Sequence, residues 1–223
     1  MSQTPSLFDL VFPEKEADLA LERQHASQFD GLLAGVDEAG RGPWAGPVVT
    51  AAVILNYDMV PSGLTDSKKL SETKREELFP QICEHAFVSV ASASPKTIDR
   101  ENIRTATLNS MVRAVSGLAL PPRYVMIDGR DVPFGLSAPG QALVKGDSRC
   151  LAVAAASIVA KVLRDRMMQR LDVFLPEFGF ARHKGYGVPA HQEALSKHGP
   201  SAHHRKSFKP VRLSAESKLR DKG

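Results

Sequence analysis

The sequence predicts an α/β domain in which a mixed sheet is flanked by helices. Two apolar runs, at residues 31–36 and 47–55, follow one another across a short glycine-rich loop, which is the pattern of an antiparallel hairpin. Later apolar runs alternate with helical patterns, as parallel strands joined by crossovers do. At 223 residues, with 43% hydrophobic and 24% charged residues, the chain has the length and balance for one large core with at most a small appendage.

The elements follow in order. Residues 1–30 are polar apart from a patch at Leu7, Phe8, Leu10, Val11 and Phe12, and read as a mobile arm leading into a weak helix over 14–24. After the hairpin, Ser71 opens a helix reaching residue 85, with Glu72 and Glu76 near its start. Residues 86–93 alternate as a third strand, and Pro95 starts helical segments that run to 118, where Pro121-Pro122 stop them. Residues 123–127 and 141–144 form the fourth and fifth strands, ending at Asp128-Gly129 and Lys145-Gly146-Asp147. A long helix over 148–174 carries the stripe Leu151, Ala155, Ile158 and Val162, and its Ala154-Ala155-Ala156-Ser157 stretch is small enough to lie close on the sheet. A last helix spans 189–197. No internal repeat is visible.

Charge is unevenly placed. Residues 1–180 carry 19 Lys and Arg against 22 Asp and Glu, whereas residues 181–223 carry 10 against 3 together with five of the seven histidines. A near-neutral body with a basic end points to a polyanionic partner. Cys83 and Cys150 have no metal-type spacing and read as free thiols in a reducing compartment. No apolar stretch reaches the roughly 18 residues of a membrane span, and the N-terminus lacks the charged-then-apolar pattern of an export signal, so a cytoplasmic protein without membrane contact is expected.

The chemistry lies in acids at strand ends. Asp37, Asp128 and Asp147 each follow an apolar run and adjoin a glycine-rich stretch, and a sheet would bring such loops to one edge. Converging carboxylates repel one another unless a cation sits between them, and oxygen ligands suit Mg²⁺ or Mn²⁺. Glu38 joins them only if the strand ends at Asp37, because adjacent strand residues face opposite ways. Taken singly, each acid reads equally well as a turn or helix cap, and Asp147 stands where an N-cap belongs. Asp165 competes with Asp147, but in one unbroken helix it would lie roughly 27 Å away. Flanked by Arg164 and Arg166, it reads as a partner in surface ion pairs. Two further stretches suit phosphate. Gly40-Arg41-Gly42-Pro43 is a loop whose backbone can approach a ligand closely, and Asp66-Ser67-Lys68-Lys69-Leu70-Ser71 precedes a helix N-terminus.

These motifs together resemble the type 2 ribonuclease H family in its bacterial ribonuclease HII branch. The resemblance rests on Val36-Asp37-Glu38-Ala39-Gly40-Arg41-Gly42-Pro43, Gly46-Pro47-Val48-Val49, Asp66 to Ser71, Ile127-Asp128-Gly129, Lys145-Gly146-Asp147, the helix around Ala154 to Asp165, and Lys184-Gly185-Tyr186-Gly187. It implies a ribonuclease H-like fold over 31–175 with a small helical C-terminal extension over 176–204, leaving a basic tail over 205–223 that is either solvated and disordered or a grip on duplex. It implies cleavage of RNA in RNA–DNA hybrids and at single ribonucleotides in duplex DNA, by a monomer using two Mg²⁺ or Mn²⁺ ions on Asp37, Glu38, Asp128 and Asp147. By the same similarity Gly40, Arg41 and Gly42 contact the 2′-hydroxyl and flanking phosphate, Ser67, Lys68 and Lys69 lie in the phosphate-binding stretch, and Tyr186 packs at the sugar of the RNA–DNA junction. Val188 departs from the Thr or Ser common at its place. Gln3-Thr4-Pro5-Ser6-Leu7-Phe8 resembles the peptides by which bacterial replication proteins dock on the sliding clamp, implying contact through Gln3, Leu7 and Phe8. The alternative from another class is a non-catalytic nucleic-acid-binding module whose acids only cap turns.

Overall fold

The computed structural model describes residues 9–220, and only the backbone over 217–220. The clamp-type residues Gln3, Leu7 and Phe8 lie outside that range. Strands β1 (Leu33–Ala39), β2 (Val48–Leu55), β3 (Ala86–Ala93), β4 (Tyr124–Asp128) and β5 (Gly140–Leu143) form one sheet in the order β3-β2-β1-β4-β5. β1 runs antiparallel to β2 and β2 to β3, whereas β1 with β4 and β4 with β5 are parallel, so the sheet is mixed as the sequence predicts. The helices are α1 (Leu19–Ser27), α2 (Glu72–His85), α3 (Pro95–Glu101), α4 (Ile103–Ser116), α5 (Gly146–Arg149), α6 (Leu151–Phe174), α7 (Phe180–His183), α8 (Pro189–His198) and α9 (Lys209–Arg220), with a 3-10 turn at Pro176–Phe178. Among the described residues no helix is long and apolar enough to cross a membrane.

The central strand shows how the layers form. Leu33 packs with Ala152 to Ala156 of α6, while Ala34 and Val36 pack with Met111, Ala114 and Val115 of α4, so successive side chains serve opposite faces. Gly35 sits where α6 crosses β1. A Cβ there would lie 2.1 Å from the Ala152 carbonyl carbon and 2.2 Å from the Val153 nitrogen, so the absence of a side chain is what lets the helix seat. Both faces of β1 and β2 are covered, which explains their nearly continuous burial.

Several boundaries differ from the sequence expectation for physical reasons. The N-terminal segment is bound from Leu10 onward and is no mobile arm there. Leu10 and Phe12 are buried, the Gln141 side chain exchanges hydrogen bonds with both backbone groups of Leu10, and Arg149 donates to the carbonyls of Phe12 and Pro13. Helix α1 begins at Leu19 because the Asp18 carboxylate caps the N–H groups of Ala20 and Leu21. The long helix is broken at Cys150, which is extended, and Glu22 of α1 accepts from Leu151 N (2.5 Å) and Ala152 N (2.9 Å) to cap α6 across 129 residues of chain. Asp147 therefore sits in the short turn α5 and not at an N-cap.

Asp165 is buried, with Lys161 donating to it at 2.7 Å, and does not form the expected surface pairs. Arg166 pairs instead with Glu76 of α2, and Arg164 is buried against carbonyls. Of the two readings of residues 205–223, a loose tail does not describe the part the structure covers, which is helical over α9. Val211 is fully buried in a second small core with Phe178, Phe180 and Leu195, and Arg205 is fully buried as well.

Candidate active site

β1 and β4 end at the same edge of the sheet. Their register pairs Val36 with Ile127, so Asp37 and Asp128 follow on neighbouring parallel strands. β4 also pairs Asp128 with Leu143, the last residue of β5. Beyond it Lys145 takes a left-handed conformation (φ 57°), which turns Gly146 N–H onto Asp128 Oδ1 at 2.7 Å and starts the helical turn that carries Asp147. One oxygen from each of Asp37, Asp128 and Asp147 lies within 4.8 Å of the others.

The surroundings keep these acids protonated more than free carboxyls would be. Burial holds Asp37 well above the usual carboxylate range, and the charges of Glu38 and Asp128 push the same way. Burial raises Asp147, with Asp128 and Asp66 adding to it; burial also raises Asp128, against the Gly146 N–H and Lys68. Three poorly solvated carboxylates that repel one another gain most from a shared divalent cation, and an all-oxygen donor set at this spacing fits Mg²⁺ or Mn²⁺.

Glu38 stands apart from the three. β1 continues to Ala39, so Glu38 faces the α4 side, where Arg41 Nη1 donates to Oε1 at 3.3 Å. The condition set by strand alternation is thus not met. Even so, Glu38 shares with Asp37 and Asp128 the lining of one cleft of about 240 Å³, and its carboxyl is raised by burial, with Arg41 opposing and Asp128 reinforcing.

The loop after β1 forms one wall of that cleft. Gly40 has φ 95°, and a Cβ on it would lie 1.9 Å from Arg164 Nε, so only glycine fits. Tyr186 forms the facing wall, half-exposed, with its ring edge against Gly42 and the Arg164 guanidinium 5.9 Å from its centroid. Lys68 reaches over the acids, its Nζ 3.4 Å from Asp147 Oδ2. Burial pulls that ammonium down, but Asp147, Asp37 and Asp66 together outweigh it and hold it above its usual range. Ser67 is buried and accepts from Ser157 Oγ at 2.6 Å, anchoring the loop to α6. Lys69 is exposed and lines a second cavity of about 580 Å³ on the far side of Asp128 and Asp147, with Lys15 and Lys145.

Sequence reasoning overlooked several contributors. Asp66 stands beside Asp147 and Lys68, and Lys161 lines the cleft while bonded to Asp165. The signal for Lys161 is its helical spacing from Ser157, one turn earlier, which lines the same cleft.

The model of the family described as Ribonuclease HII matches residues 34–211. The chain belongs to the ribonuclease HII family. It is 54% identical over 209 residues to Ribonuclease HII of Agrobacterium fabrum, covering 94% of this chain and 95% of that protein. Its fold matches the crystal structure of ribonuclease H2 from Pyrococcus horikoshii OT3 with a TM-score of 0.73 at 30% identity, over 83% of this chain and 97% of the other. It also matches ribonuclease HII of Archaeoglobus fulgidus, solved in complex with PCNA, with a TM-score of 0.69 at 31% identity, over 80% and 95%. The ribonuclease H-like fold is thereby established, and the chain is a metal-dependent ribonuclease that acts on the RNA of RNA–DNA hybrids.

Proposed function

We propose that this ribonuclease HII also incises duplex DNA on the 5′ side of an embedded ribonucleotide, leaving 5′-phosphate and 3′-hydroxyl ends, with two divalent ions held by Asp37, Asp128, Asp147 and Glu38. The observation that carries the reading is the convergence of Asp37, Asp128 and Asp147 within 4.8 Å beside a cleft walled by the Gly40 loop and Tyr186. When bound, such ions supply Lewis acidity to the scissile phosphate and a water nucleophile at neutral pH.

The chain's own groups do the rest. The 2′-hydroxyl is the one feature that marks a ribonucleotide in DNA, and the Gly40-Arg41-Gly42 backbone is free of side chains at both glycines, so it can approach that hydroxyl closely. Arg41 is exposed and reaches outward for the flanking phosphate, with Lys68 and Lys69 along the strand. The half-exposed Tyr186 ring offers a flat surface to the sugar at the junction. Ser67 anchors the lysine loop by accepting from Ser157 Oγ, which leaves its own O–H, on the cleft lining, to donate to the substrate strand. The exposed Lys206, Lys209 and Arg212 extend the basic surface for the duplex.

The test is a duplex carrying one ribonucleotide, incubated with and without Mg²⁺ or Mn²⁺. Metal-dependent nicking 5′ to the ribonucleotide with the stated end groups supports the reading; nicking confined to long hybrids contradicts it.

The same reading places the enzyme as a monomer in the bacterial cytoplasm, where such duplexes arise, and docks it on a sliding clamp through Gln3, Leu7 and Phe8. The complex of the Archaeoglobus fulgidus relative with PCNA supports the clamp contact. Loss of clamp capture on changing Leu7 and Phe8 to Ala is the expected result, and undiminished capture would refute the contact.

A further inference from the structure

We propose that His204 and Arg205, adjacent residues of the C-terminal extension, are positioning residues for ribonucleotide recognition that set the two walls of the cleft from beneath. The proposal rests on the cleft being the substrate site.

The segment is fastened to the loop it would hold. Arg205 N donates to Trp44 O (2.8 Å), Gly46 N donates to His203 O (2.9 Å), and Ala45 bridges His204 in antiparallel fashion. Adjacent side chains of such an extended strip point opposite ways, so one residue can serve each wall.

Arg205 serves the Gly40 wall. Its guanidinium is fully buried and donates from Nη2 to Gly40 O (2.5 Å), from Nη1 to Arg41 O (2.7 Å) and from Nε to Gly46 O (3.0 Å). Among the described residues no carboxylate forms an ion pair with it. Burial and the neighbouring Arg164 charge pull it down to about 9. A buried cation held by three main-chain carbonyls and the Phe208 ring, 5.2 Å from its Cζ, with no paired carboxylate, is a costly arrangement for stability, which points to a further use. The peptide unit supplies one. In a planar trans peptide the C=O and the following N–H point in opposite directions. With the carbonyls of Gly40 and Arg41 turned inward onto Arg205, the N–H groups of Arg41 and Gly42 are turned outward, on the side where the cleft opens. Neither has an acceptor among the described residues, so both remain available to a hydroxyl or phosphate oxygen.

His204 serves the Tyr186 wall. Its Nδ1 accepts from Ser201 N at 3.0 Å, so its proton sits on Nε2, 3.0 Å from His191 Nε2. His191 must therefore accept there and donate from Nδ1 to Tyr186 O at 2.9 Å. One tautomer of each ring satisfies the chain. Burial lowers both, His204 to about 3, so the pair stays neutral and the Tyr186 carbonyl is held throughout the working range.

The test compares Arg205→Met, Arg205→Lys and His204→Phe with the parent on a duplex carrying one ribonucleotide. Three readouts accompany turnover: Tm, Mn²⁺ affinity by calorimetry, and the Arg41 and Gly42 amide NMR shifts on adding the duplex in metal-free buffer, where a metal-dependent enzyme does not cut it. Arg205→Met is expected to bind Mn²⁺ normally, lose kcat by roughly ten- to a hundredfold with KM within about threefold, and lose the two amide shifts. Arg205→Lys is expected to recover most of the loss, and His204→Phe to lower kcat about tenfold. Val115→Ala, on the far face of the sheet, is expected to lower Tm without changing kcat.

A folded Arg205→Met enzyme with parental kcat, or equal kcat losses in Val115→Ala and Arg205→Met, overturns the proposal. If Arg205→Met does not fold, parental kcat in His204→Phe overturns it. Failure of the parent itself to nick this duplex strikes the underlying substrate reading instead.

Discussion

Asp37 and Asp128 stand side by side on neighbouring parallel strands, each one residue beyond the last β1–β4 pair, Val36 with Ile127. Parallel pairing of these strands is therefore what builds the charged site; burial raises the proton affinity of both groups, and at Asp37 the charges of Glu38 and Asp128 add to it.

Metal binding must displace those protons. Mn²⁺ affinity is expected to weaken steadily as pH falls from 8 toward 5.5, and binding to release protons, seen as a calorimetric enthalpy that varies with the buffer's ionisation heat. A pH-independent affinity with no proton release would contradict the assigned environment. The metal-free protein should show the mirror effect. A carboxyl raised in the folded state favours folding below its unfolded value, near pH 4, and that contribution is lost as pH rises through the folded value. Asp37→Asn is thus expected to have a higher Tm than the metal-free parent at pH 7.5, with the difference vanishing below about pH 4.

Gly35→Ala tests the contact of α6 with β1. The added methyl would meet backbone, which cannot rotate away, at 2.1–2.2 Å. A loss of about 3 kcal/mol is expected from chemical denaturation, with weaker Mn²⁺ binding because Asp37 lies two residues further on. A neutral substitution would mean that the helix sits higher on the sheet.

Gly40 and Gly42 should separate stability from activity. At Gly40 the clash with Arg164 and the φ of 95° both penalise alanine, so Gly40→Ala lowers Tm and turnover together. At Gly42 a Cβ would meet only Tyr186 Cε1, at 3.7 Å, so Gly42→Ala folds normally and loses turnover by crowding the substrate. Parental turnover in Gly42→Ala would remove that residue from the contact surface.

How far the sequence foretold this site depends on the kind of interaction. Strand-end acids were legible because apolar runs mark where strands stop, and Asp37, Asp128 and Asp147 do converge. The face of Glu38 was not legible, since it turns on whether β1 ends at residue 37 or 39. Nor was the burial of Arg205 or Arg164, because both lie in basic stretches that look solvated and their partners are loop carbonyls, which carry no sequence signature. The break at Cys150 escaped notice for a similar reason, as the cap that restarts the helix comes from Glu22, remote in the chain.

That remote cap gives another check. Tyr57 OH donates to the Glu22 carboxylate at 2.9 Å, and both are buried. Glu22→Ala strands two helix N–H groups and a phenol, with an expected cost of about 2–3 kcal/mol. Glu22→Gln keeps one acceptor oxygen and should fall between Ala and the parent in thermal unfolding.

The account stands most directly on one comparison, cleavage of a singly ribonucleotide-substituted duplex by the parent and by Asp37→Asn in Mg²⁺, with duplex affinity measured in parallel. The account predicts metal-dependent nicking by the parent, loss of nicking in the variant by at least about a thousandfold, and affinity for the duplex within a few-fold of the parent. Near-parental turnover by Asp37→Asn would contradict it.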